Sequence, residues 1–207
     1  MSENTSDNDT QKETQSALPA DGHEPLRYFF FDFLKVFLMA VAIIIPVRYF
    51  LFQPFVVTGD SMRPNFHDGN YLIIDELTYR FREPSRGEVV VMRFPKDPSQ
   101  FFIKRIVALP SEHIVIRDGR VTIYNSENQD GILLEEPYLV SQNITYGNID
   151  RKLKEDEFFV LGDNRLSSSD SRVWGILPKD DIIGRVYLRL FPVQELELFI
   201  PSPVYND

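Results

Sequence analysis

Histidine is the side chain that most often moves protons near neutral pH, but the histidines of this 207-residue chain stand in unfavourable contexts. His23 lies in a polar N-terminal segment, His67 opens the turn-like sequence His-Asp-Gly, and His113 opens a predicted hairpin. None has the spacing of a metal-binding HExxH motif, and the chain contains no cysteine. The sequence therefore predicts no histidine triad, no thiol nucleophile, and no requirement for a metal or cofactor.

Lysine offers a different base when its ammonium is withdrawn from water. Among the lysines after the N-terminal apolar segment, only Lys104 lies inside an apolar strand-like run, FFIKRIVAL. Strand alternation puts it on the same face as Phe102 and Ile106. Burial of that face would lower the lysine pKa from ~10.4 toward ~7–8, where a lysine serves as a general base. The alternative is a lysine that reaches solvent from an edge strand.

A serine with the features of a nucleophile occurs in the segment TGDSMRP. Gly59 and Pro64 bracket Ser61, and a bent backbone there could expose the hydroxyl while leaving nearby N–H groups free. Those are the requirements of a nucleophile beside an oxyanion hole. The alternative is an ordinary turn.

The elements around these residues fall into three predicted segments. Residues 1–26 are polar and acidic and are expected to be a disordered tail. Residues 27–52 are long and apolar enough to predict a transmembrane anchor, with a buried core helix as the alternative. Basic residues are more numerous on the N-terminal side of this segment, which favours a cytoplasmic N-terminus. Residues 53–207 form the third segment, the predicted catalytic domain.

The third segment has the pattern of a mainly β protein. Short runs rich in Val, Ile, Tyr and Phe alternate with turn signals, and we expect an antiparallel sheet or a barrel-like domain. The predicted strands are Tyr71–Ile74, Glu88–Phe94, Phe101–Leu109, His113–Arg117, Arg120–Tyr124, Glu157–Leu161 and Ile182–Leu190. Asp118–Gly119 predicts a hairpin turn, because both residue types tolerate positive φ. The formal charge of −9 argues against a nucleic-acid partner.

Four segments, TGDSMRPNF, GEVVVMRFP, FFIKRIVALP and GDNRLSSSDSRVWGILP, occur in this order along the chain. Together with the N-terminal apolar segment they resemble the ordered sequence boxes of bacterial type I signal peptidases, in their short, single-anchor form. These enzymes are serine endopeptidases that use a Ser–Lys dyad. The resemblance covers the chain from about residue 28 to 192.

The resemblance assigns roles to individual positions. It implies that Ser61 is the nucleophile, Lys104 the general base, and Ser168 the serine that orients the lysine. Gly59, Asp60 and Met62 are expected to shape the turn and its oxyanion hole. The charged residues near the site are expected to form structural ion pairs: Arg105, Asp163, Arg165, Asp170 and Arg172.

The chain departs from the family pattern in three places. Longer members have a serine where this chain has Gly59, so the oxyanion hole is expected to rest on backbone N–H groups. Leu166–Ser167 replaces a common Asp–Asn, and Ser111–Glu112 replaces the usual Gly–Asp.

The resemblance implies removal of signal peptides from secretory preproteins with small residues before the cleavage site. The implied setting is the cell membrane, with a single pass through the lipid bilayer, the catalytic domain on the outer side and the translocation machinery as a further partner. Ser61 is only nine positions after Phe52, which limits the distance of the hydroxyl from the anchor to ~30 Å. The alternatives are a Ser–Lys protease dedicated to one partner and an inactive, membrane-tethered β domain used for binding.

Overall fold

A computed structural model describes residues 24–50, 52–140 and 144–199. The predicted tail, residues 1–26, lies outside the described residues except for its last three positions. Helix α1 spans Glu24–Phe50 and so covers the predicted anchor, residues 27–52, up to residue 50, whereas Phe52 begins a strand. Within the stretch whose side chains are described, no helix is long and apolar enough to cross a bilayer. The chain divides into two compact units, the second of which begins at Ile44.

The second unit is built from short strands, as the alternation of apolar residues and turn signals predicts. In chain order the strands are β1 Phe52–Val56, β2 Tyr71–Asp75, β3 Val89–Phe94, β4 Asp97–Ala108, β5 His113–Arg117, β6 Arg120–Tyr124, β7 Ile132–Leu133, β8 Ile149–Lys152, β9 Glu157–Leu161, β10 Leu177–Pro178, β11 Ile182–Phe191 and β12 Glu197–Leu198. A four-residue helix, α2, spans Ser171–Trp174. Short 3₁₀ turns span Thr78–Arg80, Lys179–Asp181 and Val193–Glu195.

The larger sheet has the strand order β1-β2-β11-β3-β4-β9-β10, with β12 paired to β11. Every pairing in it is antiparallel. The expectation of an antiparallel β domain is therefore confirmed, but the barrel-like form is wrong. Over the described residues the sheet stays open, because the end strands β1 and β10 each pair with a single neighbour.

The smaller sheet has the order β7-β6-β5-β8. Its central hairpin turns at Asp118 and Gly119, whose φ angles are 53° and 78°. This confirms the turn predicted from the Asp–Gly pair, since both residues adopt the left-handed conformation that such turns require.

Apolar clusters hold the strands that carry the candidate site. One cluster joins the loop after β1 to the sheet through Val57, Met62, Phe66 and Leu72, all of them buried. A second cluster packs α2 against β3, β4 and β9, with Trp174 among its members. Burying these side chains contributes roughly 1.5–3 kcal/mol each, which fixes the positions of β4 and of the loop after β1.

Candidate active site

The loop after β1 presents Ser61 on a closed, anchored turn. The loop is closed at its base, where the Val57 N–H donates to the Asn70 carbonyl at 2.9 Å and the Gly69 N–H donates to the Val57 carbonyl. Met62, next to the serine, is fully buried in the apolar cluster. The side chain after Ser61 therefore holds the turn in place, and Ser61 itself remains half-buried at the surface.

Gly59 takes a conformation that explains its residue type. Its φ is +88°, in the left-handed region, and a Cβ added there would meet no atom within 4 Å. The backbone angle, rather than lack of space, therefore favours glycine. Its N–H donates to Asp68 Oδ1 at 2.8 Å, so this amide is occupied and does not point freely into the site.

Lys104 lies on β4, in the interior of the large sheet. Its strand is paired with β3 on one side and β9 on the other, and the residue is 3% exposed. The alternative of a lysine reaching solvent from an edge strand is therefore wrong. Burial lowers the pKa of Lys104 from 10.5 to about 8, although the carboxylates of Asp170 and Asp163 act in the opposite direction.

The amine of Lys104 contacts the hydroxyl of Ser61. Lys104 Nζ lies 2.8 Å from Ser61 Oγ and donates a second hydrogen bond to the carbonyl of Ile103, also at 2.8 Å. A neutral amine at this distance can accept the hydroxyl proton. Two residues 43 positions apart thus form a candidate nucleophile and base.

The peptide before Ser61 leaves a donor free. The Ser61 N–H has no acceptor among the residues that the structure describes, whereas the Asp60 carbonyl accepts from the Arg63 N–H. The Asp60 side chain pairs with Arg63 at 2.8 Å on the surface. An unoccupied N–H beside a nucleophilic hydroxyl is the donor that an oxyanion hole requires.

Gly162 lies where the segment after β9 passes closest to the serine. A Cβ at this position would stand 2.1 Å from Ser168 Oγ and 2.5 Å from the Ser61 carbonyl oxygen. Ser168 is therefore brought beside the serine turn. Its hydroxyl is buried and has no hydrogen-bond partner within the described part of the chain. Neither hydrogen bond of Lys104 Nζ goes to it, so its role in orienting the lysine stays a prediction.

The charged residues near the site form buried pairs, and the partners are specific. Arg105, next to the lysine, binds Asp163 through two hydrogen bonds of 2.8 and 2.6 Å. Asp170 caps the N-terminus of α2 and pairs with Arg172 at 2.7 Å. Its Oδ2 also accepts from the Gly162 N–H. These contacts tie β4, the segment after β9 and α2 together around Lys104.

Sequence reasoning named Arg165 but missed its partner Glu136, and it gave no role to Asn65. Arg165 pairs with Glu136, and Asn65 donates to Asp163 Oδ2 at 2.8 Å. Gly162 and Asn164 also had no assigned role, although they lie in GDNR, at the start of one of the four segments that resemble the family. Nothing in the sequence gives the partners Glu136 and Asn65, because they come from distant loops.

A cleft of about 240 Å³ opens beside the serine and the lysine, and its walls are mostly apolar. The lining side chains come from β1, β2, β3, β4 and the loops that carry the site: Phe55, Val56, Val57, Thr58, Ser61, Leu72, Val91, Phe101, Phe102, Ile103, Lys104 and Ser169. An extended peptide with small apolar side chains suits such a cleft.

A hydroxyl beside a buried amine, at the edge of an apolar cleft on an antiparallel sheet, is an arrangement suited to a serine endopeptidase. Known proteins agree with this class. The family model described as signal peptidase, peptidase S26, matches residues 30–191. The chain belongs to this family and is a serine endopeptidase.

The similar proteins of known sequence are named consistently. A signal peptidase I from Leptolyngbya laminosa is 33% identical over 201 residues, covering 93% of this chain and 95% of that protein. A probable signal peptidase I-2 from Synechocystis sp. is 34% identical over 171 residues, covering 79% of this chain and 74% of the relative. A crystal structure of a signal peptidase I from Enterococcus faecalis V583 aligns with 51% of this chain and 97% of its own, at 30% identity and a TM-score of 0.42.

Proposed function

We propose that this protein cleaves signal peptides from exported preproteins, with Ser61 as the nucleophile and Lys104 as the general base. The observation that carries the proposal is the 2.8 Å contact between Ser61 Oγ and Lys104 Nζ, made by an amine that is 3% exposed. Relatives over most of the chain carry the name signal peptidase I, which supports the substrate class.

The reaction follows from these groups. Neutral Lys104 takes the proton from the Ser61 hydroxyl while the oxygen attacks the scissile carbonyl, and the carbonyl oxygen gains negative charge. The Ser61 N–H stabilises this oxyanion, and the lysine ammonium then gives its proton to the leaving amine. The signal peptide remains as an ester on Ser61. A water that loses a proton to the lysine hydrolyses the ester and restores the serine.

The cleft sets the preference for small side chains before the cut. Its modest volume and apolar lining from residues such as Phe55, Leu72 and Ile103 leave room for alanine-sized groups and disfavour charged ones. Ser168, beside the serine turn, is proposed to orient the lysine once substrate is bound.

We propose that the protein works at a membrane surface, to which α1 attaches it. Residues 53–207 would form the catalytic domain, on the side of the membrane to which preproteins are exported. The described side chains of α1 are overwhelmingly apolar and exposed, including Phe30, Phe33 and Phe37. Among the described side chains of α1, Asp32 and Lys35 form an acid–base pair at 3.5 Å. A large exposed apolar surface marks a membrane or partner contact. Lipid and the translocation machinery are therefore the proposed partners beyond the substrate.

Cleavage of a preprotein whose signal ends in Ala-x-Ala tests the proposed activity. We expect the purified protein in detergent to cut after the final alanine, and Ser61→Ala to be inactive while retaining the parent's thermal unfolding. Ser126→Ala, at an exposed serine in the loop after β6, is the matched control and should cleave like the parent.

The remaining outcomes separate the alternatives. Equal cleavage by parent and Ser61→Ala would assign the activity to another nucleophile and overturn the proposal. If no preprotein is cut, but a single co-expressed protein is processed in a Ser61-dependent way, the dedicated-partner protease is correct. If nothing is cut and Ser61→Ala changes no property of the cell, the tethered binding domain is correct.

Membrane attachment is tested by flotation of the full chain with phospholipid vesicles. We expect the parent to float with the vesicles and a triple variant, Phe30→Ser/Phe33→Ser/Phe37→Ser, to lose much of this binding. If the parent stays with the soluble fraction, the attachment through α1 is wrong, whatever the result of the cleavage test.

A further inference from the structure

Asn164 lies on a rigid part of the segment that follows β9. Its neighbour Asp163 is fully buried and paired with Arg105, and its other neighbour Arg165 is 2% exposed and paired with Glu136. Asn164 itself is only partly buried. Because both neighbours of Asn164 are held in buried ion pairs, its backbone is fixed and its side chain can be positioned accurately.

Asn164 donates a hydrogen bond to each of the two peptide groups that flank Ser61. Its backbone N–H donates to the Ser61 carbonyl at 3.0 Å, and its side-chain Nδ2 donates to the Asp60 carbonyl at 3.1 Å. The first bond does not depend on the side chain. The second hydrogen bond requires the side-chain amide of Asn164.

The Asp60 carbonyl belongs to the same peptide unit as the Ser61 N–H. A trans peptide is planar, and its oxygen and its hydrogen point in opposite directions. A donor that holds the Asp60 oxygen therefore also fixes the direction of the Ser61 N–H, which has no acceptor among the described residues. Hydrogen bonding to the carbonyl further polarises the peptide and strengthens the N–H as a donor.

We propose that Asn164 is a positioning residue for the oxyanion hole: its side-chain amide anchors the Asp60–Ser61 peptide so that the Ser61 N–H faces the developing oxyanion. The inference rests on the proposed function of Ser61. The Arg63 N–H also reaches the Asp60 carbonyl, at a longer 3.2 Å.

Steady-state cleavage by Asn164→Ala and Asn164→Asp tests the inference. Loss of an oxyanion donor itself lowers kcat by about 10²–10³-fold. Because Asn164 acts through the peptide, we expect Asn164→Ala to lower kcat about 10-fold, with KM within twofold of the parent. Asn164→Asp keeps the shape but turns an acceptor toward the Asp60 carbonyl, so kcat should fall further. Rates are compared on the high-pH plateau, so that a change in the lysine pKa does not contribute.

Nuclear magnetic resonance of the Ser61 amide separates this inference from the proposed function. In the parent, ¹⁵N relaxation should report a rigid Ser61 N–H. In Asn164→Ala the same amide should gain fast motion, while the rest of the spectrum and the melting temperature stay close to the parent. Asn148→Ala, at an exposed asparagine, is the control and should alter neither kcat nor the Ser61 signal.

Each result decides the matter. If the parent cleaves preproteins, a kcat for Asn164→Ala within twofold of the parent overturns the inference, as does an unchanged Ser61 relaxation rate. If the parent cleaves nothing, the proposed function fails and the relaxation data alone decide whether Asn164 holds the peptide. A fall in kcat accompanied by a tenfold rise in KM or a large loss of thermal stability would mean a general structural role and would also overturn it.

Discussion

At the scale of the residue, burial of the Lys104 amine affects both its pKa and the stability of the protein. The ammonium form is disfavoured by burial, and the pKa falls from 10.5 to about 8. In the unfolded chain the same lysine keeps its ordinary value. Between these two values the unfolded state binds more protons than the folded state, so stability decreases as the pH falls from about 10.5 to about 8. Below that window the folded protein carries the full cost of a buried ammonium, about 3 kcal/mol.

Replacing Lys104 with methionine removes this cost. We expect Lys104→Met to be inactive. Its free energy of unfolding, measured relative to that of the parent, should be larger at pH 7 than at pH 10.5, by up to about 3 kcal/mol. Packing differences and lost hydrogen bonds contribute equally at both values and cancel in this comparison. Denaturant unfolding of parent and variant at the two values measures it. The same stability difference at both would show that the lysine is not desolvated.

At the scale of the element, the segment after β9 acts as a second wall of the site. The Gly162 N–H is held by Asp170, the cap of α2, and Asp163 is held by Arg105 on β4. Removing one partner of such a buried pair leaves an uncompensated charge and costs several kcal/mol. The segment is thus fixed against the strand that carries Lys104, and its close approach to Ser61 needs a residue without a side chain.

Gly162→Ala tests this close approach. The added Cβ would stand 2.1 Å from Ser168 Oγ and 2.5 Å from the Ser61 carbonyl, and the second of these is backbone, which must shift. We expect activity to fall about 100-fold or more, because displacements of about 1 Å at a catalytic group have that effect.

Gly175→Ala is the matched control, since its φ is +100° and the space around it is open. Its ψ is −150°, in a region that residues with a side chain rarely adopt, so the variant should be destabilised by about 1–3 kcal/mol and remain active. Full activity in Gly162→Ala would show that the segment does not restrain the serine turn.

At the scale of the whole molecule, the site is assembled from parts distant in sequence. Ser61 follows β1 at one end of the large sheet, Lys104 lies on β4 in its interior, and Ser168 follows β9. Local patterns predicted most of the strands, since β-branched residues and turn signals act over a few residues. They predicted neither β1, β8 and the two-residue strands nor the open ends of the sheet, which are set by tertiary pairing.

The same distinction applies to the site. The apolar run around Lys104 indicated either a buried lysine or a lysine at an edge strand. The bracket of Gly59 and Pro64 indicated either an exposed serine or an ordinary turn, because local signals fit both alternatives. Contacts between remote segments set the distance between Ser61 and Lys104. They also set the pairing of Arg165 with Glu136 and the hydrogen bond from Asn164 to the Asp60 carbonyl. A single sequence carries no direct information on such contacts, and only the ordered boxes of the family indicated that serine and lysine belong together.

The pH dependence of kcat/KM for preprotein cleavage tests most directly whether a neutral, buried Lys104 activates Ser61. The neutral amine is the active form, so kcat/KM should rise about tenfold per pH unit at low pH. It should reach half of its maximum at a pH of about 8 and level off above that. A midpoint near ~6.5 would indicate a histidine base, and a rise that continues to ~10.4 would indicate a solvated lysine. Either of those results would contradict the account.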